Sequence, residues 1–188
     1  MNAVALLEKH FASRKAFEIV LEHSRRVADK ALKIAGGIRA PLDLKFIEEA
    51  ALLHDIGVSR IHAPQLDCHG SAPYIRHGVL GREILDAEGF IAHGLVCERH
   101  IGVGLTVEDI IRQKLPLPHR EMRPLTMEER IVSFADLYYS KTPGRLGEEK
   151  APAEVMEGLR KFGAHKASIF REWLRELNPV LPQGIDDL

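Results

Sequence analysis

Residues 47–57, with the sequence Ile-Glu-Glu-Ala-Ala-Leu-Leu-His-Asp-Ile-Gly, place an imidazole and a carboxylate at the end of an apolar helical segment. The positions spaced i, i+3, i+4 and i+7 along one face are Ile47, Ala50, Ala51 and His54. His54 therefore falls on the face expected to pack away from water. Asp55 follows about 100° further round, and Gly57 is the flexible residue expected just past a helix end. A cation is favoured at this C-terminal turn, because the helix dipole is negative there.

Apolar residues at helical spacing recur along the rest of the chain. They predict helices at residues 2–12, 14–35, 74–88, 91–101, 106–115, 126–139, 152–162 and 164–177, besides the helix that begins near Asp43 and ends at His54. We find no alternation typical of strands, no internal repeat and no low-complexity tract. The sequence thus predicts an all-α fold in the form of a helical bundle. Because 188 residues can bury one sizeable core, we expect a single domain at 1–188.

Composition excludes few functions. The chain is 45% hydrophobic and 28% charged, with a formal net charge of −1, which gives no indication of a nucleic-acid polymer or a membrane surface as partner. Cys68 and Cys97 follow no secretory signal, and no apolar segment reaches the roughly 18 to 20 residues that span a bilayer. We expect a cytoplasmic protein with reduced thiols. The oligomeric state is not indicated.

Several ionisable residues lie at or beside the apolar stripes of different predicted helices. These candidate metal ligands are His23, His54, Asp55, His77, His100 and Asp136. Each alone is compatible with an ordinary hydrogen-bonded side chain. Together they favour a metal site, because burying isolated carboxylates or imidazolium groups costs several kcal/mol unless they are paired or coordinated. A helical bundle can bring such side chains to one centre, and mixed nitrogen and oxygen ligands suit Mn, Fe, Co, Ni or Zn.

The order of these residues resembles the HD superfamily of metal-dependent phosphohydrolases, including its HDIG subgroup. The amino-acid sequences of four segments are also similar to those of small stand-alone bacterial and archaeal members. These segments are residues 75–85, 98–104, 128–136 and 139–143. The similarity covers about residues 18–142, which we take as the core of an HD-domain bundle. The residues at about 150–178 resemble the helical extension of such proteins.

The resemblance implies a dinuclear metal site at the centre of the bundle. The first ion would be held by His23, His54, Asp55 and Asp136, and the second by His77, His100 and the bridging Asp55. One departure concerns the substrate. Cyclic-dinucleotide phosphodiesterases of the superfamily carry a further histidine and a lysine where this chain has Ile101 and Val58, which weakens the case for that substrate here.

We therefore predict a metal-dependent phosphohydrolase that cleaves a phosphomonoester or phosphodiester, with a nucleotide as the favoured substrate. The attacking group would be a metal-activated hydroxide oriented by Asp55. The cations expected to bind the substrate phosphate are Arg60, Arg76, Arg99 and Lys141, and Arg60 is also a candidate catalytic residue, since it follows the His-Asp pair. No glycine-rich phosphate loop or aromatic base-stacking cluster identifies the ester.

Two alternatives remain open at this point. One is a regulatory module that binds metal or nucleotide without turnover, and the other is a relative that uses a dinuclear iron site for oxygen chemistry. The complete ligand set argues against a degenerate sensor. It does not distinguish hydrolysis from oxygen chemistry.

Overall fold

The computed structural model describes residues 1–177, which form nine α-helices and a short two-stranded hairpin. The helices are Ala3–Lys9 (α1), Arg14–Gly36 (α2), Leu44–Leu53 (α3), His77–Ala87 (α4), Ile91–Arg99 (α5), Val107–Arg112 (α6), Met127–Asp136 (α7), Pro152–Arg160 (α8) and Ala164–Leu177 (α9). The hairpin pairs His62–Ala63 (β1) antiparallel with Cys68–His69 (β2). None of the nine helices combines the length and apolarity needed to cross a membrane.

The all-α prediction is confirmed, although the described residues also include the hairpin, short 3₁₀ turns and isolated β-bridges. Strands of two residues are too short to show alternation, which is why the sequence did not indicate them. The predicted single domain at 1–188 and the predicted extension at about 150–178 reach into residues 178–188, which lie outside the described residues.

Polar side chains fix the starts of the helices. The Thr106 hydroxyl accepts the Asp109 amide at 3.0 Å, and the Asp109 carboxylate accepts the Thr106 amide at 3.1 Å, which completes a capping box. At Thr126, the residue before α7, only one half of such a box forms. Its hydroxyl accepts the Glu129 amide at 3.1 Å, but the Glu129 carboxylate accepts the Leu125 amide instead of that of Thr126. The Glu129 carboxylate thus leaves the capping-box pattern because another backbone amide lies within reach.

The long helix α2 joins two apolar clusters and places a histidine between them. Val27 belongs to the cluster that packs α2 and α3 against α7, α8 and α9. Val20 belongs to the cluster formed with α1, α4 and the residues around the hairpin. His23 lies between these two valines in the sequence and is 1% exposed. The polar centre of the molecule therefore lies where these two apolar clusters meet.

Gly57 does not serve as the flexible helix end that the sequence indicated. It lies in a 3₁₀ turn at Ile56–Arg60 and is not among the glycines with positive φ. A Cβ atom at this position would lie 2.0 Å from the His77 carbonyl oxygen and 2.4 Å from the Gly81 amide nitrogen. The missing side chain therefore allows α4 to approach the turn, which brings His77 towards Asp55.

We expect Gly57→Ala to lower the free energy of unfolding by about 2 kcal/mol or more, because the contacted atoms belong to backbone that cannot rotate away. Urea unfolding measures this change. Gly158→Ala is the matched control, since a Cβ there meets nothing within 4 Å in helix α8, where alanine is favoured over glycine by up to about 1 kcal/mol. Equal stability of the two variants would contradict the packing role of Gly57.

Candidate metal centre

Five separate segments supply the side chains of this centre. His23 comes from the middle of α2, His54 and Asp55 follow α3, His77 begins α4, His100 follows α5, and Asp136 is the last residue of α7. All six predicted ligands are brought together, and their ligand atoms form two overlapping groups. Five of them are buried, whereas the Asp136 side chain is 16% exposed. The prediction of a His/Asp cluster at the core is confirmed.

The first group consists of His23, His54, Asp55 and Asp136. The His23 Nε2 atom lies 2.9 Å from Asp136 Oδ1 and 3.2 Å from Asp55 Oδ2. The His54 Nε2 atom lies 3.1 Å from the same Asp55 oxygen and 3.4 Å from the same Asp136 oxygen. Ligand atoms about 2.0–2.2 Å from one ion lie roughly 3.0–3.5 Å from each other. The four side chains therefore fit around a single divalent ion.

The second group consists of His77, His100 and the other oxygen of Asp55. The two Nε2 atoms lie 3.1 Å apart, and they are 3.5 Å and 3.7 Å from Asp55 Oδ1. This buried oxygen has no hydrogen-bond partner among the described residues. Asp55 thus presents one oxygen to each group, as a carboxylate that bridges two ions would.

Backbone carbonyls fix the orientation of three of the imidazoles. The Nδ1 atoms of His54, His77 and His100 each lie 2.7 Å from a carbonyl oxygen three residues earlier in the chain. A carbonyl can only accept, so Nδ1 carries the hydrogen and the Nε2 atom of each neutral ring offers a lone pair. Burial lowers the pKa of His77 and, together with neighbouring histidines, lowers that of His100 to about 3. The Nε2 lone pairs of His77 and His100 therefore face each other and repel unless a cation lies between them. Metal-binding histidines have the same arrangement, with the other ring nitrogen donating to a carbonyl or carboxylate.

The two carboxylates of the first group, Asp55 and Asp136, attract positive charge to it. Burial opposes ionisation of Asp55, but Lys141 and His54 outweigh it and hold its pKa well below the usual range. Burial likewise opposes the charge on His54, yet Asp55 and Asp136 raise its pKa to about 10. The Lys141 ammonium donates to Asp55 Oδ2 and lies 3.2 Å from His23 Nε2. A divalent ion would supply the same kind of charge, and its binding would release protons.

A cavity of about 410 Å³ lies beside the cluster. Its walls are the segment 139–143, Gln65 and Leu66 between the hairpin strands, and Tyr74 and Asp136. Asp136 belongs both to this wall and to the first ligand group. The cavity therefore gives a solvent molecule or a substrate access to the cluster.

The four predicted phosphate-binding residues do not share one place. They are Arg60, Arg76, Arg99 and Lys141, and only the lysine lines the cavity. Arg60 is about half exposed and lies 3.9 Å from Glu83, whereas Arg99 donates to Glu129 at 2.7 Å. The buried Nε of Arg76 has no hydrogen-bond partner among the described residues. The catalytic role of Arg60 and the substrate roles of the three arginines stay predictions.

Sequence reasoning missed Tyr74. Its ring packs on that of His77 with centroids 4.9 Å apart, and its carbonyl accepts the His77 Nδ1 hydrogen. The residue is 40% exposed and lines the cavity together with Tyr139. The signal that could have found it is its position in a turn after Pro73, three residues before a candidate ligand.

Comparisons with known sequences agree with this geometry. The HD domain family model matches residues 20–140. An uncharacterized protein of Methanocaldococcus jannaschii is 40% identical over 123 residues, which are 63% of this chain and 65% of that protein. Two proteins named tRNA (cytidine(56)-2'-O)-methyltransferase, from Picrophilus torridus and Thermoplasma volcanium, are 29% and 30% identical over 94% and 97% of this chain. The chain spans only 46% and 48% of these two relatives.

A solved structure shows the same fold. It is the HD domain of the L. monocytogenes phosphodiesterase PgpH in complex with cyclic-di-AMP. The TM-score is 0.53 at 18% sequence identity, and the match covers 98% of this chain and 99% of that one. The resemblance predicted from the His and Asp positions is thereby confirmed, and the chain belongs to the HD domain family.

Proposed function

We propose that this protein is a phosphohydrolase that uses two divalent metal ions to cleave a phosphate ester of a nucleotide. In this proposal one ion is held by His23, His54, Asp55 and Asp136, and the other by His77, His100 and Asp55. The observation that carries it is the geometry of Asp55, whose two oxygens face two different groups of ligand atoms. Hydrolytic dinuclear sites use such a shared arrangement.

Ions bound there would lower the pKa of a coordinated water to about 7 and neutralise charge on phosphoryl oxygens. The protein itself supplies positioning. Lys141 lies between the shared carboxylate and the cavity, where its ammonium would donate a charge-assisted hydrogen bond to a phosphoryl oxygen. During hydrolysis the water oxygen bonds to phosphorus while the ester oxygen leaves, and the proton lost by water ends on the leaving oxygen.

Two findings support a nucleotide as the substrate class. The structural neighbour was solved with cyclic-di-AMP, and two sequence relatives are named as tRNA methyltransferases. Ile101 and Val58 stand where cyclic-dinucleotide phosphodiesterases of the superfamily carry a histidine and a lysine. This difference favours a nucleotide other than a cyclic dinucleotide. Lys141 at the cavity wall favours an anionic ligand over a site that senses metal alone.

The test begins with metal analysis of protein purified without oxygen. Metal-loaded protein, with Mn, Fe, Co, Ni, Zn or Mg, is then assayed against nucleoside monophosphates, 2'- and 3'-phosphates, cyclic nucleotides and sugar phosphates. We expect metal-dependent hydrolysis that a chelator abolishes and that His54→Ala removes, while His119→Ala, at an exposed loop histidine, leaves it intact. Oxygen consumption by an iron-loaded form without hydrolysis would favour the oxygenase alternative. Metal binding without any turnover would favour a regulatory module.

A further inference from the structure

The cavity beside the metal centre has an aromatic wall next to its cation. Tyr74 and Lys141 both line it, and Asp136 connects it to the ligand cluster. The Tyr139 hydroxyl donates to Glu149 at 3.1 Å, so that ring is tethered to a surface carboxylate. Tyr74 packs on His77, and 40% of the residue stays exposed. Tyr74 is thus the aromatic ring of this wall that packs on a candidate ligand, lies beside Lys141 and stays partly exposed.

The size of the cavity limits what can lie on this ring. Its volume is about 410 Å³, whereas pockets for small ligands range from roughly 300 to 1,000 Å³. A space near the lower limit suits one base and one sugar with its phosphate. Gln65, between the hairpin strands, offers an amide that can donate to and accept from the edge of a base.

We propose that Tyr74 is the stacking platform for the base of a nucleoside monophosphate whose phosphate lies at Lys141 and the His/Asp cluster. This inference rests on the proposed function and adds the substrate class to it. Stacking on an aromatic side chain tolerates any base, because every base presents a π face. Selectivity would therefore be for the presence of a single base rather than for its identity.

The experiment compares Tyr74→Leu and Tyr74→Phe with wild type as metal-loaded 188-residue protein. The substrates are AMP, ribose 5-phosphate, which lacks a base, and cyclic-di-AMP. Tyr74→Leu is expected to raise the KM for AMP by about 10-fold or more, because loss of an aromatic platform costs this much per base. Its kcat/KM for ribose 5-phosphate should stay within about twofold, and Tyr74→Phe should keep the wild-type KM for AMP. Phe162→Leu, at a 59% exposed aromatic outside this cavity, is the matched control.

Binding of AMP, measured by equilibrium dialysis, separates this inference from the proposed function. AMP binding that weakens in Tyr74→Leu but not in Tyr74→Phe, in a protein without turnover, would support the platform and reject the hydrolase. An equal loss of activity on AMP and ribose 5-phosphate, with reduced metal content, would mean that Tyr74 only supports His77. A wild-type protein that prefers cyclic-di-AMP to AMP would also overturn the inference.

Discussion

Replacing Asp55 by asparagine is expected to prevent metal binding by both groups of ligands and to lower the rate of hydrolysis more than about 100-fold. Loss of a residue that only hydrogen-bonds to a metal ligand already lowers metal affinity or activity 10–100-fold. The side chain keeps its size but loses the charge that two groups of ligands share. Its two oxygens lie 3.1 Å from His54 Nε2 and 3.5 Å from His77 Nε2, so an amide nitrogen at either position would face a histidine of one group. Elemental analysis of the purified variant gives the metal content per chain, and the nucleotide assay gives the activity.

Asp29→Asn is the control for this variant, because it makes the same exchange at an exposed position of α2. It should retain wild-type metal content and activity. Two ions per chain in Asp55→Asn, together with hydrolysis within tenfold of wild type, would show that this carboxylate does not bridge the site. A variant that keeps one ion and loses activity would indicate that only one group depends on Asp55.

Much of the helical fold and the set of candidate ligands could be predicted because both depend on periodic burial. An imidazole such as His54 on an apolar stripe is costly unless its neighbours compensate for it, and this cost is visible in the sequence. The order of the ligands along the chain then added the family, which the match over residues 20–140 confirms. The two overlapping groups of ligand atoms agree with the predicted division of the ligands.

Features that depend on tertiary contacts could not be predicted in the same way. Arg60 follows the His-Asp pair closely in sequence, yet its guanidinium lies near Glu83, because surface side chains are directed by neighbours and not by position in a motif. Gly57 was interpreted as a helix end, since sequence shows a permissive residue but not the helix that packs on it. Tyr74 lies at the cavity wall because of the 3₁₀ turn in which it stands, and the direction of such a short turn leaves no periodic pattern in the sequence.

Lys141→Met is expected to have opposite effects on the protein with and without metal. Asp55 raises the pKa of Lys141 above its ordinary value despite burial, so this ammonium is charged at neutral pH. Its side chain is 10% exposed and contacts a carboxylate that is fully buried. Without metal, the buried Asp55 carboxylate of the variant lacks its ion pair with Lys141. The free energy of unfolding should therefore fall by about 3 kcal/mol. With metal, removal of a neighbouring positive charge should strengthen ion binding.

Urea unfolding in a chelator and in excess Mn²⁺ measures both effects on Lys141→Met. The stabilisation produced by Mn²⁺ should be larger in the variant than in wild type, because the free energy that a ligand adds grows with the logarithm of its affinity for the folded state. Hydrolysis should nevertheless fall roughly 10- to 100-fold, since a hydrogen bond from a charged group to the phosphoryl oxygen is lost. Lys45→Met removes a 74% exposed lysine and should change none of these quantities. Equal urea midpoints for Lys141→Met and wild type in the chelator would show that this ammonium does not compensate the buried carboxylate.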